Sequence, residues 1–225
     1  MRINIAIDGP SAAGKSTIAK ILAKQLNYIH LDTGAMYRCV GLKAKLNNIS
    51  FDDEDALADM VKNTKIELTP DSKVYLDGKE VTNDIRKDDI SLAASSCSRH
   101  AKVRSELVSR QQEMAKDKGY IMDGRDIGTV VLKDAEVKVF MVASAEARAK
   151  RRYDQDILLG NHPEDIETIA EEIRQRDYQD THREVSPLKK ASDAIEIDTS
   201  DMSIEEVSRA IYDLAKPYLD KEETR

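Results

Sequence analysis

The chain has 225 residues, 40% hydrophobic and 34% charged, a soluble globular composition with enough length to bury one sizeable core and a small insert. Its net charge of −7 sets the molecule as a whole against nucleic acid and acidic membranes, so any anionic ligand must be held by locally clustered Arg and Lys. Two cysteines without a C-x-x-C pair argue against a zinc site or disulfide framework. A core strand at the start and no bilayer-length apolar run predict a cytoplasmic protein.

Ile3, Ile5 and Ile7 alternate with Asn4, Ala6 and Asp8, which predicts a strand. It runs into Gly9-Pro10-Ser11-Ala12-Ala13-Gly14-Lys15-Ser16-Thr17, whose Gly9, Gly14, Lys15 and Ser16 satisfy the phosphate-loop spacing G-x-x-x-x-G-K-[ST]. Backbone N–H groups of such a loop curl round a phosphate, the lysine adds a point charge, and the serine hydroxyl can ligate Mg²⁺. The glycines keep side chains out of the way of the phosphate. Ile18, Ile21, Leu22 and Leu26 then recur at helical spacing, so a helix N-terminus also faces the anion. Tyr28 to Leu31 reads as a short strand, Thr33 as the cap of the next helix, and Asn47-Asn48 as its end. Leu57, Met60 and Val61 mark another helix.

The next stretch changes character. Lys65 to Thr69 and Lys73 to Asp77 read as short strands about a Pro70-Asp71-Ser72 turn, and Asp77-Gly78 is a hairpin signal leading to Lys79-Glu80-Val81. An antiparallel meander inside a βα chain predicts an inserted subdomain. Helical spacing returns at Ile90, Ala93, Ala94 and Cys97, then from Val103 to Met114, with Gly119 as the stop. Tyr120 to Asp123 reads as a buried strand ending in a carboxylate, followed by Gly124-Arg125-Asp126. Val137 to Val142 is a central parallel strand, and Ser144 caps a basic helix carrying Arg148, Lys150, Arg151 and Arg152. Gly160 to Pro163 breaks that helix, and another runs from Ile166 to about Asp177. Ala194 to Asp198 is the last strand, Ser203 with Glu206 is a capping box for the last helix, and the final charged residues are expected to fray. The alternation of strands and helices predicts a parallel sheet with helices on both faces.

The loop implies a nucleoside triphosphate. No N-K-x-D guanine-reading motif is present, which counts against a GTPase-like switch, although a nucleotide-dependent binding switch remains the alternative from outside the enzymes. Arg38, Arg125, Arg148, Arg151, Arg152, Arg176 and Arg183 exceed what one triphosphate needs, and guanidinium forks suit a second phosphate-bearing ligand. The basic helix alone is equally well read as a solvated face with i,i+4 pairs. A phosphate acceptor is already ionised, so positioning, Mg²⁺ and arginines suffice without a strong base. A sugar-type alcohol acceptor would use a carboxylate, for which Asp32, Asp123 and Asp126 are candidates. Asp123 more naturally orients Mg²⁺-bound water.

The blocks IAIDGPSAAGKST (5–17), LDTGAMYR (31–38), KVR (102–104), MDGRDIGTVV (122–131) and RDYQDTHREVSPL (176–188) resemble the bacterial cytidylate kinases of the nucleoside monophosphate kinase group. The resemblance spans essentially the whole chain. It implies an α/β fold of the P-loop NTPase type: a parallel five-stranded sheet with helices on both faces, an inserted monophosphate-binding subdomain with a small antiparallel sheet, and a short helical lid. The implied organisation is a core of residues 1–34, 118–147 and 184–225, a monophosphate-binding domain of 35–117 with its antiparallel insert at about 63–87, and a lid of 148–183. The implied activity is transfer from ATP-Mg²⁺ to CMP and dCMP, with UMP the nearest other acceptor, by a cytoplasmic monomer acting without nucleic acid or membrane.

Residue by residue, the resemblance puts Gly9 to Thr17 on the ATP phosphates, with Lys15 on the phosphates and Ser16 on Mg²⁺, assisted by Asp123 through water and by Asp32. Arg148, Arg151 and Arg152 resemble the lid arginines, Arg151 touching ATP. Thr33, Arg38, Arg125 and Arg183 would hold the acceptor phosphate. Ser95 (with Ser96 and Ser98 as neighbours that could replace it), Arg104 and Asp126 match positions that read cytosine, a carboxylate accepting from the exocyclic amine while Arg donates to the carbonyl oxygen and ring nitrogen. Arg176 and Asp180 match positions that contact ribose. Lys15, Arg125, Arg148, Arg152 and Arg183 are the expected catalytic groups.

Overall fold

The structure, a computed structural model, describes residues 2–158 and 160–219; the expected fraying of the last charged residues falls outside them. The strands are β1 (Ile5–Asp8), β2 (Ile29–Asp32), β3 (Ile66–Leu68), β4 (Val74–Leu76), β5 (Lys79–Glu80), β6 (Tyr120–Gly124), β7 (Val137–Val142) and β8 (Ile195–Asp198). The helices are α1 (Lys15–Leu26), α2 (Thr33–Leu46), α3 (Glu54–Lys62), α4 (Asp88–Cys97), α5 (Ala101–Met114), α6 (Ala145–Leu158), α7 (Ile166–His182) and α8 (Ile204–Leu219). A five-stranded sheet runs in the order β2-β6-β1-β7-β8, and the β1–β6, β1–β7 and β7–β8 pairs are all parallel. This is the expected α/β class. Every residue of β1 is buried, as befits a parallel strand covered on both faces.

The chain forms two compact units, one of residues up to Tyr28 together with those from Lys118 onward, the other from Ile29 to Asp117. In the first, the side chains of Ile5, Ile7, Ile121, Val137, Val139 and Met141 join Ile18 and Leu22 of α1 and Val207, Ile211 and Ala215 of α8 in one core. The period-2 face of the strands and the period-3.6 stripes of the two helices meet there, as their sequence spacing requires. The alternate face of β1 carries Asp8, and the same face of β7 carries Lys138, both buried. α6 and α7 pack through their own small cluster of Ala149, Ile169, Ala170 and Ile173.

The second unit holds the antiparallel meander β3-β4-β5. Asp77 (φ 50°) and Gly78 (φ 84°) both sit in the left-handed region, the geometry of a two-residue type I′ hairpin, and Leu76 pairs with Lys79 across it. Cys39 and Cys97 are buried free thiols, each pushed up to about 12 chiefly by burial, which removes them as nucleophiles.

Three local expectations change. Asp32, not Thr33, caps α2: its Oδ1 accepts from the Ala35 amide at 2.9 Å, while Thr33 is the first helical residue. α5 ends at Met114 with Ala115 as its cap, and Gly119 (φ +84°) instead turns the chain into β6, its N–H donating to the Ile3 carbonyl at 2.9 Å. α7 runs to His182, beyond Asp177, and so carries Asp180 within the helix. Ser144 does cap α6, accepting from the Ala147 amide at 3.1 Å, and Ser203 with Glu206 closes the capping box of α8.

Candidate active site

The loop between β1 and α1 is built by two glycines needed for different reasons. Gly14 caps α1 at φ +88° with open space where a Cβ would stand, so its requirement is conformational. Gly9 has φ +151°, and a Cβ there would lie 2.2 Å from the Met141 carbonyl oxygen of the neighbouring strand. Its requirement is therefore the close passage of β7, rather than room for a phosphate alone. Lys15 is buried at the first turn of α1, and its Nζ donates to the Pro10 carbonyl at 2.6 Å across the loop. Burial, and then the charge of Arg125, pull its pKa from 10.5 down to about 7, against the opposing charges of Asp123, Asp8 and Asp180. Ser16 Oγ donates to Asp123 Oδ2 at 2.7 Å, so a hydroxyl and a carboxylate converge beside the lysine. Ser11 and Ser16 are half-buried, Ala13 is buried, and Ala12 and Thr17 face solvent.

Asp180 of α7 gathers the arginines. Its Oδ2 accepts from Arg125 Nε at 2.7 Å, and Arg183 lies 3.9 Å from its other oxygen. Despite the burial that opposes ionisation, the charges of Arg125, Arg176 and Arg183 hold the Asp180 carboxyl below the usual carboxylate range. Arg183 Nε also donates to the Ser186 carbonyl at 2.6 Å. Arg125 and Asp180 both act on the charge of Lys15, which places this cluster within electrostatic reach of the phosphate loop.

Arg148 departs from the solvated-face reading of its helix. It is buried, and its guanidinium meets both carboxylate oxygens of Asp177, at 3.1 and 2.5 Å. It also donates to the carbonyls of Ser11 (3.2 Å), Ala143 (2.9 Å) and Ser144 (3.3 Å). Lys150, on the same helix, does follow the i,i+4 pattern, pairing with Asp154 at 2.9 Å in solvent. Arg151 is tied to Thr199 and to the Ser200 carbonyl after β8, and Arg152 lies 3.8 Å from Glu172.

In the second unit, Thr33 is buried at the start of α2 and Arg38 is half-buried one turn on. Arg104 of α5 is buried, with its guanidinium 5.2 Å above the Tyr37 ring and one nitrogen donating to the Ser98 carbonyl at 3.1 Å. The Ser98 hydroxyl donates to the Ser95 carbonyl at 2.9 Å, whereas Ser95 and Ser96 are both half-buried.

Two residues of the first unit have roles that local pattern does not encode. Asp177 lies inside α7, where its spacing suggests a helix end, and clamps Arg148. Asp8 is the polar half of the β1 alternation. Its carboxylate is buried and accepts from the Ile127 and Gly128 amides, each at 2.7 Å. Burial raises its pKa from 3.8 to about 6 in spite of those two donors. The available signal was a carboxylate inside an otherwise apolar strand directly before Gly9.

A parallel sheet with a phosphate-cradling turn before α1, a buried lysine there and an arginine cluster beside it define a phosphotransferase of the P-loop kinase class. Two solved structures are similar to the chain at this level of fold. One is an uncharacterized protein from Eubacterium ventriosum (TM-score 0.52, 14% identity, 96% of this chain and 99% of that one), the other a gluconokinase from Sinorhizobium meliloti (TM-score 0.50, 14% identity, 96% and 93%). The family model for cytidylate kinase matches residues 5–217. Curated cytidylate kinases are similar along nearly their whole length: one from Geobacillus sp. at 53% identity (94% of this chain, 96% of that protein), one from Bacillus subtilis at 52% (93% and 95%). The chain belongs to the cytidylate kinase family. It is an enzyme of the nucleoside monophosphate kinase group.

Proposed function

We propose that this protein transfers the γ-phosphoryl of ATP to the 5′-phosphate of CMP or dCMP, giving the nucleoside diphosphate and ADP. Beyond family membership, the observation that carries the reading is the arginine cluster on Asp180 in electrostatic reach of Lys15. A triphosphate on the loop has the lysine, so guanidinium groups gathered next to it suit a second phosphate. That acceptor oxygen is already anionic, so the transfer needs no strong general base.

In this reading Gly9 to Thr17 cradle the ATP phosphates, and Lys15, Arg125, Arg148, Arg152 and Arg183 stabilise the charge of the transferring group. Thr33, Arg38, Arg125 and Arg183 hold the acceptor phosphate, Ser95, Arg104 and Asp126 the base, and Arg176 and Asp180 the ribose. Asp180 performs a second task, since it aligns Arg125 through its 2.7 Å hydrogen bond. Residues 35–117 serve as the monophosphate-binding domain and 148–183 as a lid whose closure excludes water. The hydroxyl of Ser16 and the carboxylate of Asp123 form a hard-oxygen pair that fits Mg²⁺, the carboxylate acting through water. Asp32 is the weaker ligand, since its Oδ1 already accepts from Ala35. When bound, Mg²⁺ neutralises charge on the β- and γ-phosphates. The enzyme acts as a monomer in the cytoplasm. No helix among the described residues is long and apolar enough to cross a membrane.

A coupled ADP-release assay across the nucleoside monophosphates, with ATP and Mg²⁺ fixed, tests the proposal. CMP and dCMP should give the highest kcat/KM, and Lys15→Ala should abolish transfer to every acceptor. Equal or better turnover of UMP would move the assignment to another acceptor, and retained turnover in Lys15→Ala would remove the loop from the mechanism.

A further inference from the structure

We propose that Asp8 is a positioning residue for acceptor recognition: its buried carboxylate pins the backbone that presents Arg125 and Asp126, and so ties the acceptor-reading segment to the start of the donor loop. This rests on the assignment of Arg125 and Asp126 to the acceptor made above. Asp8 is the last residue of β1, and Gly9 follows it directly. In register it stands between Gly124 of β6 and Phe140 of β7, so its main chain is fixed from both sides. Its side chain points to the face of the sheet opposite the α1–α8 core and accepts from two consecutive amides, Ile127 and Gly128, at 2.7 Å each.

Those amides open the irregular turn Ile127–Val131, in which the Asp126 carbonyl accepts from both Val130 (2.9 Å) and Val131 (3.3 Å). A wide turn of this kind leaves its first N–H groups without an intrahelical acceptor. Asp8 supplies one, with both carboxylate oxygens. The packing on the other side is equally close. A Cβ on Gly128 would lie 3.3 Å from Asp8 Oδ2 and 3.3 Å from the Lys138 side chain. The segment from Gly124 to Gly128 is therefore held at one end by strand pairing and at the other by Asp8, with Arg125 and Asp126 between. The charged groups about the carboxylate are Lys15 from α1, Asp126 from the segment itself and Lys138 from β7, whose ammonium is engaged by Asp193 and the Lys133 carbonyl. None of them takes the place of the two amide donors.

Asp8→Asn is nearly isosteric, but its amide can accept only one of the two N–H groups and directs its own NH₂ at the other. The test measures steady-state KM for the monophosphate that the unaltered enzyme prefers, together with equilibrium binding of ATP in the absence of acceptor. Asp8→Asn should raise the acceptor KM by about tenfold, the loss expected for one hydrogen bond to a charged group, and leave ATP affinity within about twofold. Gly128→Ala loosens the same contact from the opposite side while keeping the Asp8 charge, and should change the two quantities in the same unequal way. It also carries the comparison if Asp8→Asn does not fold. An unchanged acceptor KM in a folded variant overturns the proposal, and so does a parallel loss of ATP binding, which would make Asp8 a loop-stability residue. Because the preferred acceptor is first established on the unaltered enzyme, a different preference there corrects the functional reading without deciding the role of Asp8.

Discussion

Asp177→Ala should loosen Arg148 and lower activity without touching a phosphate directly. Arg148 is buried and makes two charge-assisted hydrogen bonds to Asp177 and three to the Ser11, Ala143 and Ser144 carbonyls. Breaking a fully buried pair costs about 3–5 kcal/mol, because the remaining charge is stranded. Here three carbonyl acceptors stay in place and the Asp177 side chain is 24% exposed, so water can reach the vacated side. The expected loss is about 2 kcal/mol of unfolding free energy. Urea unfolding of Asp177→Ala, Arg148→Met and the double variant measures it, and the cycle should return a coupling of at least about 1 kcal/mol. If Arg148 serves the transferring phosphoryl group, Asp177→Ala also lowers kcat more than it raises the KM for ATP. Additive single effects, with coupling below about 0.3 kcal/mol, would refute the view that this pair sets the position of Arg148.

The two loop glycines should behave differently. Gly14→Ala meets no atom and should cost about 1–2 kcal/mol for its left-handed conformation. Gly9→Ala drives a Cβ into the Met141 carbonyl and should lose more than about 3 kcal/mol, read as a larger drop in thermal midpoint; equal losses would contradict the packing argument. Lys15 has a pH signature in the ligand-free protein. Its folded pKa lies near 7 and its unfolded value at 10.5, so between them the unfolded chain binds the extra proton and stability rises with pH. The slope contributed is at most about 1.4 kcal/mol per pH unit. Subtracting the Lys15→Met curve should expose it in denaturant titrations across that window, and a flat difference would show that the lysine is not desolvated.

Much of the catalytic half of this protein could be read from local pattern. The phosphate loop is a contiguous motif whose chemistry depends on residue type and spacing. The strands and helices around it follow from period 2 and period 3.6, and Asp77-Gly78 dictates its own hairpin because only such residues accept two positive φ angles. The joint order of the blocks at 31–38, 122–131 and 176–188 carries the resemblance to the family.

What sequence could not supply are the partners across the fold. Gly9 is required by the Met141 carbonyl, Arg148 is held by Asp177, Arg125 by Asp180, and Asp8 reaches the Ile127 and Gly128 amides. These pairs lie 29 to 132 positions apart, and no periodicity encodes them. The helix of Arg148 illustrates the reason. Its charge pattern suits a solvated face equally well, and only the packing of α6 and α7 through Ala149, Ile169, Ala170 and Ile173 turns Arg148 inward while Lys150 remains in water. Burial is a property of the assembled chain. Where it meets a charged side chain, tertiary structure alone decides between surface and site.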